Sequence, residues 1–409
     1  MPRFLLTALS AVLVAGLVTV LYIGLFRTHR PPSFTRLLRM GLGVHGLGLL
    51  AMWFMLGPGG QGYGDHILYL RAGQQVAEAA AQGGWQALTA PELWGTMPPV
   101  VGTRSFVLLT AGLGPAVGWS LLGLSVVFAG IGYGGIIAFS DAVRVALPEH
   151  IAQRFTVLLV ACPTVAFWTS WLGKESVVFA ALGALFLGLA LLPLRPWRSW
   201  ALVIAGTLGM ALLRPQVGMV AMVAILPALF VAQTASRRAL SLVVAVALLG
   251  VLAVGLWHLH VRSWSDIADY LERVKAYNLA HSVSHSGASM VNADGSPLAA
   301  LVNVLLRPFP WETRTFAQAA ASAELYALWL FAAWRLRAIG RGLWQQRRVP
   351  LVGAILAFGL LYALGLGLAA TNLGLIARQR VHLWPAMLLT VALATPRPPP
   401  DEATPPRLV

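Results

Sequence analysis

The chain has 409 residues, of which 58% are hydrophobic and 11% charged, and its formal net charge is +15. Soluble domains carry about 25% charged residues, so the composition excludes a soluble globular protein. The arginines fall in short clusters between apolar runs instead of forming one basic domain. That spread argues against a nucleic-acid partner and follows the positive-inside pattern of a multi-pass membrane protein.

Apolar runs near the length that crosses a bilayer, about 20 residues, predict an all-α, polytopic transmembrane protein. The predicted spans are 4–26, 40–57, 119–140, 155–172, 176–194, 199–213, 217–233, 240–257, 318–334, 350–370 and 380–395. The first begins like a signal peptide, but its positive charge lies mostly after the apolar core, at Arg27 and Arg30. It reads as a retained helix with its N-terminus outside. A shorter piece, 104–117, ends in Gly-Pro and reads as re-entrant, so the total is about 11–12 spans. Residues 1–395 are read as one integral membrane domain, and the proline-rich tail 396–409 as a disordered cytoplasmic segment.

Arginine placement sets the expected orientation. Connections 27–39, 141–154, 195–198, 234–239 and 335–348 carry the arginines and are assigned to the cytoplasm. Two longer loops, 58–103 and 258–317, then lie outside with the short turns 172–176, 213–217 and 371–379. The first long loop opens on GYGDH and continues as an interfacial helix over Ile67 to Ala81; the second ends in RPFPWE. Cys162 is the single cysteine and carries no compartment signal.

This arrangement puts Asp65, His66, Lys174, Glu175, Arg214, Arg307, Glu312, Arg378 and Arg380 at the outer membrane level. Lys174 and Glu175 are the only charges in the forty-residue tract Phe155 to Leu194. Ionisable groups at a bilayer boundary cost a few kcal/mol unless paired or wet. One anionic lipid headgroup shared by Lys174, Arg214, Arg378 and Arg380 accounts for them, since arginine clamps phosphate with paired donors and lysine adds a mobile charge. Helical phasing brings Asp65 near Tyr69, and a carboxylate there can serve as general base for an incoming hydroxyl.

Blander readings stand beside these. Lys174–Glu175 can be a solvated hairpin apex, Asp65 a helix cap, and Arg214–Pro215 a turn with an anchoring arginine. Arg378 and Arg380 can be a snorkelling interfacial pair. RPFPWE can be a structural re-entry, with Trp311 in the aromatic belt and Glu312 paired to Arg307. His258, His260, His281 and His285 lack carboxylates or cysteines at ligand spacing, and read as solvated.

The Asp-bearing first outer loop, PxxxFWxSxxGKE from Pro163 to Glu175, and LRP at Leu213 to Pro215 resemble bacterial envelope proteins of polysaccharide loci. RPFPWE at Arg307 to Glu312 and NLGLIARQRVHLWP at Asn372 to Pro385 belong to the same pattern. These proteins are similar to GT-C glycosyltransferases and related polysaccharide polymerases, and the resemblance spans most of residues 40–395. It implies a polyprenyl-phosphate-linked sugar donor, an acceptor glycan or lipid, surrounding membrane lipids, and an active face turned outward from the inner membrane. It further implies Asp65 as base and Lys174, Arg214, Arg378 and Arg380 as phosphate ligands; His66, Tyr69, Glu175, Arg307 and Glu312, at the same outer level, are accessory candidates. Many GT-C members carry an acidic pair where this chain has Asp65–His66, which leaves a divalent metal an open question. Three functions are expected in this order: a GT-C-type glycosyltransferase, a repeat-unit polymerase acting on lipid pyrophosphates, and a non-catalytic anionic-lipid transporter.

Overall fold

A computed structural model describes residues 30–56, 65–94, 102–231, 296–314, 316–370 and 372–394, with isolated positions between 266 and 276. Predicted spans 4–26 and 240–257, the four histidines from 258 to 285 and the proline-rich tail lie outside the described residues.

Among the described residues the chain is helical, without strands. In order come α1 (Pro32–Leu56), α2 (Asp65–Ala87), α3 (Thr103–Leu113), α4 (Leu121–Ala146) and α5 (Glu149–Ala161). Then follow α6 (Pro163–Trp168), α7 (Lys174–Leu191), α8 (Pro196–Leu213), α9 (Pro215–Val231) and α10 (Pro297–Leu305). The last are α11 (Phe316–Trp334), α12 (Leu336–Gln346), α13 (Pro350–Ala369), α14 (Leu373–Gln379) and α15 (Trp384–Ala392). Among the described residues four stretches are long and apolar enough to cross a membrane: Pro32–Met55 and all of α4, α7 and α13. The protein is a helical membrane protein.

Several predicted boundaries shift for local reasons. The run 155–172 is not one helix but the end of α5 followed by α6. Cys162 is extended at φ −70, ψ 109, ahead of Pro163. Proline disfavours the helical conformation in the residue before it and lacks the N–H of a helix interior. Run 104–117 becomes the eleven-residue α3 and a 3₁₀ turn over Gly114–Val117. At 1.5 Å per residue α3 reaches only about half of a bilayer core. The run 380–395 divides likewise into a 3₁₀ turn at Arg380–His382 and the nine-residue α15. The interfacial helix expected from Ile67 to Ala81 is longer, beginning at Asp65, with its regular geometry broken at Gly84 (φ 61).

The chain divides into two compact units. The first holds the described residues up to Phe139, with Val160–Leu187 and Trp200–Gly218. In it α2 packs on α3 through Tyr69 and Phe106, ring centroids 4.6 Å apart, and Phe106 meets Phe128 of α4 at 5.0 Å. Helix α1 lies against α6, where any side chain at Gly48 would strike the Ala166 carbonyl. The tilted rings of His45 and Tyr133 join α1 to α4, with His45 Nε2 3.0 Å from the Ala129 carbonyl oxygen.

The second unit holds Ser140–Leu159, Gly188–Ser199 and the described residues from Met219 onward. Its centre is α13, packed on α10 and α15. Small residues set both contacts, since a Cβ at Gly367 would meet the Ala300 carbonyl and one at Gly359 the Ala386 methyl. Close backbone approach of this kind is how membrane helices gain packing energy when lipid supplies no hydrophobic drive.

Candidate functional site

The candidate residues form two groups, one in each unit. In the first unit the site is built on three helix starts. Asp65 is the exposed first residue of α2, and His66 and Tyr69 follow on the same turn, both buried. Thr103 opens α3. Lys174 and Glu175 open α7, where the unsatisfied N–H groups favour a carboxylate. Arg214 sits at the joint between α8 and α9; its backbone N–H donates to Met210 and its carbonyl accepts from Gly218. Pro215 begins α9, where a missing N–H costs nothing.

Lys174, Glu175 and Arg214 are 6%, 5% and 8% exposed, which corrects the solvated-apex expectation. Apolar flanks alone did not reveal this, because the helix start is covered by α3 and the α8–α9 joint. The Arg214 guanidinium donates to the Glu175 carboxylate in a buried ion pair. Lys174 Nζ donates to Thr103 Oγ1 at 2.9 Å and lies 5.8 Å from the Tyr69 ring centroid. Two cations and one carboxylate are therefore enclosed together at the starts of α3 and α7 and the α8–α9 joint, with Tyr69 of α2 against the Lys174 ammonium. Arg214 Nε is buried without a hydrogen-bond partner among the described residues.

Gly102 makes this convergence possible. Its φ of 83 lies in the left-handed region, and a Cβ there would run into the Leu213 carbonyl. Glycine lets the start of α3 press against the end of α8, so Thr103 arrives beside the α8–α9 joint. Trp171 closes another side, with its ring edge-on to His66 at 5.5 Å and tilted against Trp53 at 6.2 Å. Its indole N–H is buried with no acceptor among the described residues. The sequence reading named neither Thr103 nor Trp171. Trp171 falls at an unspecified position of PxxxFWxSxxGKE, and the only signal for Thr103 is the glycine before an apolar run.

The second group belongs to the second unit. Arg307 Nε donates to Glu312 Oε2 at 3.0 Å, a second guanidinium nitrogen donates to Oε1, and Nη1 donates to Asn303 Oδ1 at 3.3 Å. Glu312 also accepts from the Phe309 backbone N–H at 2.9 Å. The hydrogen bond from Arg307, foremost, holds the Glu312 carboxyl below its ordinary range, against the opposing effect of desolvation. RPFPWE is thus a self-tied corner, and the expected pairing of Glu312 with Arg307 is present. Trp311 stands 79% exposed, stacked on Phe309 at 4.9 Å.

Arg380 is buried and donates to the Arg307 carbonyl, joining its turn to that corner, while its Nε has no partner among the described residues. Arg378 is half-buried in the last turn of α14, where a cation suits the helix C-terminus. Between them Gln379 accepts from the Tyr362 hydroxyl at 3.3 Å. Among the described residues no three histidine, cysteine, aspartate or glutamate side chains converge as metal ligands.

The first group gathers two buried cations around one carboxylate, while the second is organised around its own internal pair. No family model, curated protein or solved structure matches this chain.

Proposed function

We propose that this membrane protein is a glycosyltransferase of GT-C type. It moves a sugar from a polyprenyl-phosphate carrier to a hydroxyl of a glycan or lipid acceptor, at the outer face of a bacterial inner membrane. The observation that carries the reading is the buried Lys174–Glu175–Arg214 cradle, with Arg214 Nε unsatisfied and Lys174 facing the ring of Tyr69, on the helix that Asp65 opens. Buried charge is retained only where it is paired or used.

In the proposed reaction Asp65 takes the proton of the acceptor hydroxyl as its oxygen bonds to the anomeric carbon. The bond from that carbon to the carrier phosphate oxygen breaks, and the electron pair leaves with the phosphate. Lys174 and Arg214 stabilise the charge that develops on the departing oxygen. Glu175 holds the Arg214 guanidinium in place before the phosphate arrives, and Thr103 fixes the Lys174 ammonium.

The test uses purified protein with a polyprenyl-phosphate sugar and measures glycosyl transfer. Asp65→Asn is expected to lower turnover by about 10²–10⁴-fold, the usual worth of a general base, while leaving donor binding intact. Lys174→Gln is expected to weaken donor binding. Unchanged transfer by Asp65→Asn, at equal protein level, removes Asp65 from the mechanism. Accumulation of complete single repeat units in a deletion strain replaces the transferase with a polymerase.

A further inference from the structure

Helix α12 carries a feature that the sugar-transfer reading leaves unused. It lies in the chain between the apolar helices α11 and α13 and is strongly two-faced. Ile339 and Gly342 are buried, and Ile339 belongs to a cluster with Ala332, Val391 and Ala394. A Cβ at Gly342 would strike the Leu393 carbonyl. These contacts fix the rotation of α12 within its unit, so the opposite face is held outward.

That outward face is basic. Arg337 and Arg341 are one turn apart and, with Gly340, Trp344 and Gln345, line an open basin of about 670 Å³. A side chain at Gly340 would meet nothing within 4 Å, so the floor between the arginines is clear. Arg347 lies flat over Trp344, 3.6 Å from its ring centroid, and donates to the Trp344 carbonyl at 2.8 Å. Arg335 and Arg348 extend the same charge, and no aspartate or glutamate occurs between Glu324 and Asp401. Among the described residues neither Arg337 nor Arg341 forms an ion pair.

We propose that this face of α12 docks anionic phospholipid headgroups of the surrounding bilayer, with Arg337 and Arg341 gripping one phosphate from adjacent turns. The positive-inside bias accounts for arginines in this connection, but not for their alignment around a clear floor on a helix whose other face is packed. Charge complementarity selects an anion, and the flanks select a lipid over a nucleic acid. Trp334, Leu336 and Trp344 are 75%, 66% and 67% exposed, a mixture of indole, aliphatic and guanidinium groups suited to the boundary between headgroups and acyl chains.

The experiment uses the full chain in a zwitterionic detergent, titrated with phosphatidylglycerol or phosphatidylcholine, with bound lipid counted by native mass spectrometry. An arginine near an anionic surface contributes roughly fivefold in affinity, so Arg337→Gln with Arg341→Gln lowers phosphatidylglycerol affinity by roughly 30-fold. Phosphatidylcholine binding stays as in the parent. A control pair, Arg195→Gln with Arg198→Gln, removes two exposed arginines that line no part of the basin and leaves phosphatidylglycerol affinity within about twofold. Equal loss in the control pair, undiminished binding in the α12 pair, or tighter retention of single-stranded RNA than of phosphatidylglycerol each overturns the proposal. Both variants change exposed side chains, and an unaltered thermal midpoint verifies their folding. No sugar transfer is read, so this proposal and the glycosyltransferase reading fail separately.

Discussion

Glu175 and Arg214 are each nearly enclosed, so neither loses its partner without exposing the other to the desolvation cost of an unpaired buried charge. Removing one member of such a pair costs about 3–5 kcal/mol, whereas an apolar replacement of both is often close to neutral. Arg214→Met alone is therefore expected to lower the thermal midpoint in detergent strongly, and Glu175→Leu with Arg214→Met to recover much of the loss. Equal midpoints for the single and double variants would show that the pair is not coupled. Glu312 gives a pH-dependent counterpart outside the spanning helices. Its folded-state pKa is depressed, chiefly by the hydrogen bond from Arg307. Its stabilisation is thus present above the ordinary carboxylate range, near 4.3, and is lost as pH falls through the depressed value. The difference in thermal midpoint between the parent and Glu312→Gln is expected to be open at neutral pH and to close on acidification. A difference that persists unchanged in acid separates the corner's stability from that carboxylate. At this scale the sequence showed which charges were out of place but not what covered them. Lys174 stands out in its tract, yet its hydroxyl partner is Thr103, 71 residues earlier, and no local pattern connects the two.

The contact between α3 and the end of α8 is an element-scale device resting on Gly102. An alanine there would hold a left-handed φ, which costs about 1–2 kcal/mol, and would drive a methyl group into the Leu213 carbonyl. Gly102→Ala is expected to destabilise the protein by about 2–5 kcal/mol once the clash is added, and to weaken donor binding by moving Thr103 away from Lys174. Gly112, in the same helix, has nothing within 4 Å of an added Cβ. Gly112→Ala should therefore stabilise by up to about 1 kcal/mol through helix propensity. Thermal unfolding of the two variants in one detergent checks the contrast, and opposite signs are required. Hydropathy located most elements because apolar length is a property of the run itself. It mislaid the break at Cys162–Pro163 because apolar residues continue across it, and it began the last span at 380 although Arg380–His382 forms a separate turn. The proline at 163 was a readable stop signal; the 3₁₀ turn at 380 has none, since its arginine and histidine are buried by neighbouring helices. Site-bearing helix starts were legible as motifs, and their convergence was not, because it depends on which glycines let backbones meet.

At the scale of the whole molecule, composition already pointed to a helical membrane protein, because long apolar runs with few charges suit helices that satisfy their backbone within each segment. Orientation is a separate matter that rests on arginine counting, and α13 offers its cleanest test. The helix has twenty residues, about 30 Å at 1.5 Å per residue, the thickness of a hydrocarbon core. Exposed Gln345 precedes it within an arginine-rich connection, and exposed Gly374 follows it beyond Asn372, which caps α14 by accepting from Leu375. If α13 crosses the bilayer, cysteines at these two positions must differ in access. The native Cys162 is buried and gives little background. With the arginines inside, Gly374→Cys reacts with a membrane-impermeant maleimide in intact spheroplasts, and Gln345→Cys reacts only after permeabilisation. The reverse pattern inverts the protein and puts α12 on the outer surface. Labelling of both positions in intact cells removes α13 from the set of spanning helices. The first pattern sets the basic face of α12 on the side where arginine is retained and leaves the short turn before α14 to the opposite surface.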